Sequence, residues 1–219
     1  MSPALKLYDS SSSNASFRAR IILYLKGIQF ERVEVDVSGG SQTDALLKLN
    51  TQRMVPVLVH GEFVLTQSMA IAEYLEETYP EPRLLPLDVK SRAQVRALTL
   101  MIACDGQPLV NLRVRRFIEK DFGISRRRMI EWMQYWLSNS LQEYEGAVTA
   151  RRVGGPFSYG AAPTVADAFL FPHVILSKRF GVDLTPYKEI RAIHECCMAL
   201  PAFRRASSGY LINDPGFGI

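Results

Sequence analysis

MVPVLVHGEFVLTQSMAIAEYLEETYP, Met54 to Pro80, changes its period halfway. Val55 to Val59 is an apolar run, His60-Gly61-Glu62 is turn-like, and Phe63 to Leu65 is a second apolar run. That pattern predicts a hairpin. From Ser68 the apolar residues return at helical spacing until Pro80 stops them, with Ser68 placed to cap the first turn. Pro56 stands inside the first run. Proline cannot donate to a ladder, so it belongs at a strand start, an edge or a bulge. A cis Val55-Pro56 bond is the alternative to a plain edge proline, and it would present the Val55 backbone to a peptide-like ligand. The residues alone leave both readings open.

Upstream, LKLYDS reads as a strand through Leu5 and Leu7. ASFRARIILYLKG has Phe17, Ile21, Leu25 and Ile28 at helical spacing, with Gly27 as the stop. FERVEVDV alternates Val33, Val35 and Val37 against Glu34 and Asp36. SGGSQ and a modest helix near TDALLKLN follow. The first eighty or so residues therefore read β-α-β-(α)-β-β-α. Downstream, PEPRLLPLDVK is a proline-rich connection, and from Ser91 the pattern is helical. Ile130, Met133, Leu137, Leu141 and Tyr144 share one helix face. Thr164 and Asp167 have capping-box spacing, with Asp167 as its structural arm. Thr185-Pro186 is expected to open another helix. The expected domains are 1–85, a linker 86–90, and 91–219.

The 219 residues are 47% hydrophobic and 22% charged, as in a soluble globular protein with a real core. The cysteines, Cys104, Cys196 and Cys197, have no CxxC or Cys/His spacing, so neither a disulfide framework nor a metal site is expected. Cys196 and Cys197 read as packing residues. No basic leader followed by an apolar run and no long apolar window appear, which predicts a cytoplasmic chain without a membrane span. The net charge is +4. The arginine runs 113–116, 126–128 and 151–152 lack interleaved aromatics, so no nucleic-acid partner is expected. They read as solvated faces, or as arginines directed at a small anion. His60, His173 and His194 have no spacing to a nucleophile and receive no role.

Together these features resemble the glutathione transferase superfamily, from Lys6 to about Arg205. SFRARI is similar to the S-W-R-V-R-I of its zeta class, which includes maleylacetoacetate and maleylpyruvate isomerases. VPVL, QSMAIAEYLEETYPEPRLLP, QPLVNL at 107–112 and KRFGVDLTPY at 178–187 resemble further signatures of that class. The resemblance implies an α/β thioredoxin-like N-terminal domain, an all-α C-terminal domain, a homodimer and glutathione as cofactor. Aligned on Arg18, Ser13 takes the position of the thiol-activating serine. Ser12 stands where the class usually has arginine, and Ala15 where it has cysteine or threonine.

Glutathione reacts as a thiolate, whereas a free thiol titrates near 8.5. A helix N-terminus supplies unsatisfied N–H groups and partial positive charge, and a hydroxyl there can donate to the sulfur anion. The resemblance gives that role to Ser13; a capping serine without a ligand is the alternative. Ser10, Ser11 and Ser16 are read as turn and capping residues. The resemblance also implies that Val55 and Pro56 offer backbone to the cysteinyl part of glutathione. Gln52 would reach its glycyl end, and Gln67 and Ser68 would hold its γ-glutamyl carboxylate at a helix N-terminus. Gln107 and Asn111 would contact glutathione, or else form a structural amide pair. Arg179 matches a substrate-carboxylate arginine of the class, with a surface salt bridge as the alternative, and Arg113, a turn or so beyond Gln107, could supply a second positive charge. The implied activity is glutathione-dependent cis–trans isomerisation of a maleyl-type oxo dicarboxylate. Conjugation of glutathione to electrophiles, and a non-catalytic glutathione-binding scaffold, are the alternatives. The absent arginine at Ser12 favours conjugation, and an intact Ser13, Pro56, Gln67 and Ser68 speaks against the scaffold.

Overall fold

A computed structural model describes residues 4–36, 46, 48–151 and 153–209. The chain divides into two compact units: Met1–Arg83 with Pro201–Ile219, and Leu84–Leu200.

The first unit is built on a four-stranded sheet of order β2-β1-β3-β4. β1 is Leu5–Asp9, β2 Phe30–Glu34, β3 Val57–His60 and β4 Phe63–Thr66. β2 runs parallel to β1, with Leu5 opposite Phe30 and Asp9 opposite Glu34. β3 and β4 are antiparallel, as the hairpin pattern predicts, and Gly61 makes the turn at φ 63°. β2 stops at Glu34; Val35 is buried just beyond it, and Val37 lies outside the described residues, as do residues 43–45 and 47 of the TDALLKLN segment, of which Leu46, Lys48 and Leu49 are helical. The parallel β1–β2 pair needs a crossover, and α1, Asn14–Leu25, supplies it. α1 is buried nearly all round, from Ser16 to Leu23. It packs on α2, Ser68–Thr78, and on α9, Pro201–Ser207. Phe17, Ile21, Ile22, Ile71 and Leu75 form the core on that side with Leu5 and Leu7. Each such side chain contributes about 1.5–3 kcal/mol on burial.

α9 departs from the expected boundary, which assigned everything after Ser91 to the helical part. Arg20 Nε donates to the Ala206 carbonyl at 3.2 Å, and the Arg205 guanidinium lies 4.5 Å over the Tyr24 ring. These bonds return the chain to the first unit.

The second unit is helical: α3 Val89–Leu100, a π-helical stretch Met101–Gly106, α4 Gln107–Val110, α5 Leu112–Phe122, α6 Arg126–Arg151, α7 Val165–Arg179 and α8 Lys188–Ala199. α7 is buried nearly all round, its apolar residues joined by the buried polar side chains of Asp167, His173 and Ser177. Its capping box forms as read from the sequence. The buried Asp167 carboxylate accepts from Thr164 N and Ser158 N at 2.7 Å each, and from Thr164 Oγ1 at 2.9 Å. Burial pushes this carboxyl up, against the pull of those donors. Met133, Leu137, Leu141 and Tyr144 of α6 are fully buried, while Ile130 is half-buried. α8 begins at Lys188, later than expected, because Thr185-Pro186 form a turn: Thr185 N donates to Asp183 Oδ1 and Tyr187 N to the Leu184 carbonyl. Among the described residues no helix is long and apolar enough to cross a membrane.

One histidine gains a partner that spacing did not reveal. Ser140 Oγ lies 2.6 Å from His173 Nε2, both residues being buried. Gly106 passes directly over the pair, and a Cβ there would come within 2.9 Å of the Ser140 Cβ. The pair is thus a packed core contact that only glycine can cover.

His194 is also buried, stacked on Phe171 with ring centroids 4.8 Å apart, and its Nδ1 has no hydrogen-bond partner among the described residues. Burial, reinforced by Lys178, pushes its pKa from 6.5 down to about 4. The unfolded chain therefore takes up a proton between those values that the folded chain refuses. Stability is full above about pH 6.5 and falls as the pH drops toward 4, by about 3 kcal/mol in all. Urea midpoints measured from about pH 7.5 to about pH 4.5 should fall more steeply for wild type than for His194→Gln. Parallel curves would remove His194 from acid unfolding.

Candidate active site

The serine-rich loop between β1 and α1 is closely hydrogen-bonded. Ser13 is the N-cap of α1, and its Oγ accepts from Ser16 N at 3.2 Å. The capping role and the donor role are compatible, because an accepting hydroxyl still has its own proton to give. Ser13 N donates to the Ser10 carbonyl, Ser10 N to the buried Ser16 Oγ, and the Ser10 and Ser12 hydroxyls meet at 3.3 Å. Ser11 donates both its N–H and its O–H to Glu34 Oε1, at 2.7 Å each.

An ionic chain lies behind this loop. Asp9, fully buried at the end of β1, takes Arg20 Nη1 on one carboxylate oxygen at 2.5 Å and Arg32 Nε on the other. Arg32 Nη2 continues to Glu34 Oε2 at 2.6 Å. None of these four residues stood out in the sequence as a site residue.

The bond between Val55 and Pro56 is cis, the alternative raised by a proline in a strand-like run. β3 starts only at Val57. The Val55 side chain belongs to a cluster with Val35, Leu46 and Val57, so its backbone is the part a ligand can meet. Just before it, buried Asn50 fixes the loop: its Nδ2 donates to the Met54 carbonyl, and its Oδ1 accepts from Gln52 N. Arg53 sits at φ 55° in that loop. Gln52 is thereby turned toward Gln67, whose Nε2 donates to Gln52 Oε1 at 2.9 Å.

At α2 the capping expectation needs correction. Gln67, at φ 72°, occupies the N-cap position and makes no side-chain cap bond, while Ser68 is already the first helical residue and is buried. Among the described residues, the first-turn N–H groups therefore lack a side-chain acceptor. A helix start of this kind suits a carboxylate, through its N–H groups and the helix dipole. Ser13, Gln52, Val55, Gln67 and Ser68 thus belong to one unit that offers a hydroxyl donor, backbone and an anion-accepting helix end. Those are the groups a thiol peptide with a free carboxylate requires.

In the helical unit, Gln107 opens α4 and is half-buried. Asn111 is the N-cap of α5, with its Oδ1 accepting from Val114 N at 3.0 Å. Arg113 is exposed in the first turn of α5, and Arg179 ends α7. The Arg115 guanidinium lies 5.7 Å over the Phe180 ring, so the two segments that carry Arg113 and Arg179 adjoin.

The sequence family described as the glutathione S-transferase N-terminal domain matches residues 3–77. A maleylpyruvate isomerase from Ralstonia sp is 42% identical over 204 residues, 93% of this chain and 96% of that protein. A holo structure of a maleylpyruvate isomerase, a bacterial glutathione transferase of the zeta class, superposes with a TM-score of 0.90 at 40% identity, covering 95% of this chain and all of that one. A maleylacetoacetate isomerase from Methylobacterium extorquens AM1, with bound malonate and glutathione, gives 0.89 at 36% identity over 97% of this chain and 100% of that one. With a thioredoxin-like sheet unit, a helical unit and relatives that match over almost their whole length, the chain belongs to the glutathione transferase superfamily, in its zeta class.

Proposed function

We propose that this protein is a glutathione-dependent cis–trans isomerase of a maleyl-type oxo dicarboxylate, as its relatives' names say of them. The observation that carries the reading is the pairing, in one unit, of a hydroxyl at the N-terminus of α1 with an α2 N-terminus that its N-cap residue Gln67 leaves without a side-chain cap. When bound, glutathione would supply a nucleophilic thiolate, the chemistry that isomerising an activated double bond requires. Ser13 donates its hydroxyl proton as a hydrogen bond to the sulfur, and the α1 dipole favours the anion. Ser68 and the first N–H groups of α2 hold the γ-glutamyl carboxylate, Gln67 orients it, and Gln52 reaches the glycyl end. Val55, held by Pro56, pairs its backbone with the cysteinyl peptide. Gln107 and Asn111 are the further residues that membership of the family assigns to glutathione. Asn111 contributes through its amide nitrogen, because its oxygen is committed to the α5 cap. Arg179 and Arg113 take the substrate carboxylates and stabilise negative charge that develops between them.

Isomerisation of maleylpyruvate and maleylacetoacetate, followed by ultraviolet absorbance with and without glutathione, tests this reading. Arg179→Ala should raise KM at least tenfold, since one charge-assisted contact contributes about 1.5–3 kcal/mol. An Arg179→Ala enzyme with wild-type kinetics would remove Arg179 from the substrate site. Conjugation of electrophiles is the second reading, favoured by Ser12. The Ser12 hydroxyl is paired with Ser10 and brings no cation to the loop. A wild-type enzyme active only on chlorodinitrobenzene-like electrophiles would establish that reading instead. Family membership also supports a cytoplasmic homodimer, and sedimentation at twice 24.7 kDa is the measurement for the dimer.

A further inference from the structure

We propose that Glu34 is a positioning residue for the serine loop, setting the direction in which Ser13 donates. The inference rests on the reading that Ser13 donates to the glutathione sulfur.

The loop is held from two sides. On the inner side, the Ser10 carbonyl accepts from Ser13 N at 3.1 Å and from Arg20 Nη1 at 3.4 Å. On the outer side, Ser11 gives both its donors to one oxygen of Glu34. The other oxygen of Glu34 is fixed by Arg32, which is fixed in turn by buried Asp9, the partner of Arg20. The ring of contacts runs from the end of β1 across to β2 and back into the loop two residues before Ser13. A bond to the Ser11 backbone acts on the chain itself, so it constrains the torsions that aim the next residues. Two arginines and two carboxylates balance in charge, which leaves geometry as the main effect on the loop. Glu34 is half-exposed, unlike Asp9, so its removal leaves no buried charge unpaired and the fold should survive.

The sign of one measurement separates positioning from simple electrostatics. Deleting a carboxylate near the sulfur would by itself favour the thiolate and lower the thiol pKa. Loss of positioning weakens the Ser13 hydrogen bond and raises it. The test titrates the thiolate absorbance of glutathione bound to wild type, Glu34→Ala, Glu34→Gln, Ser13→Ala and the Ser13→Ala/Glu34→Ala double variant. Glu34→Ala should raise the pKa by about half a unit, a threefold loss of thiolate preference. Glu34→Gln removes the same charge but keeps an acceptor for Ser11, and should lie between wild type and Ala. In the Ser13→Ala background, removing Glu34 should raise the pKa no further. An unchanged or lowered pKa in Glu34→Ala, or a full rise that persists without Ser13, overturns the proposal. If Ser13→Ala itself leaves the pKa in place, the donor assignment falls first and the proposal falls with it.

Discussion

Ser13→Ala is expected to raise the pKa of bound glutathione by about two units and to cut turnover at neutral pH about threefold. Two units correspond to about 2.7 kcal/mol of differential stabilisation, within reach of a charge-assisted hydrogen bond combined with a helix dipole. A thiol titrating near 6.5 is mostly ionised at pH 7, whereas one near 8.5 is about 3% ionised. The thiolate fraction thus drops roughly 25-fold, and the greater nucleophilicity of the more basic thiolate returns part of that loss. The deficit should therefore shrink as the pH rises toward 9, a signature that simple misfolding would not give. Glutathione affinity should change little, because its proposed anchors are at Gln52, Val55, Gln67 and Ser68. The variant also loses the cap of α1, where Ser13 Oγ accepts from Ser16 N, at a stability cost of about 1 kcal/mol. Ser13→Thr keeps a hydroxyl for both duties and should recover most of the rate. An unshifted thiol pKa in Ser13→Ala would move the donor to Ser12 or Ser11. Neither is well disposed for it, since Ser12 pairs with Ser10 and Ser11 is spent on Glu34.

Local periodicity and local turn chemistry made much of this molecule legible in advance. The hairpin and helix of residues 54–80, the capping box at Asp167 and the apolar face of α6 all depend on neighbours within a few residues. Recognition of the serine loop and of QS at 67–68 rested on resemblance, since a serine beside a helix reads equally as a cap. The structure shows that Ser13 is a cap and that Ser68 is not, a distinction set by backbone torsions at Gln67 that composition does not encode. What stayed hidden is long-range. Asp9, Arg20, Arg32 and Glu34 come from two strands and a helix and follow no period. α9 looked like the end of a helical domain until its backbone met Arg20, 186 positions earlier in sequence. Ser140 and His173 lie on different helices, and their closeness becomes visible only through Gly106, the one residue that fits over them.

Asp9→Ala should be the most destabilising single change in the first unit, at about 3–5 kcal/mol. Asp9 and Arg20 are both almost fully buried, and a buried guanidinium without its carboxylate carries the whole desolvation cost alone. Among the described residues, Arg20 would keep two carbonyl acceptors, Ala206 on α9 and Ser10 in the loop. Arg32 would suffer less, since it is a third exposed and retains Glu34. A rescue experiment identifies the cause. Asp9→Leu with Arg20→Met replaces the buried pair by apolar groups of similar volume, and should recover most of the urea midpoint that Asp9→Ala loses. A double variant no more stable than Asp9→Ala would mean that the ion pair stabilises the fold beyond its own desolvation. The recovered double variant would still lack the guanidinium that holds the Ser10 carbonyl, and the loop that aims Ser13 would be held on one side only. Stability should return while the thiol pKa stays high, because the same arginine serves the core through Asp9 and the site through Ser10.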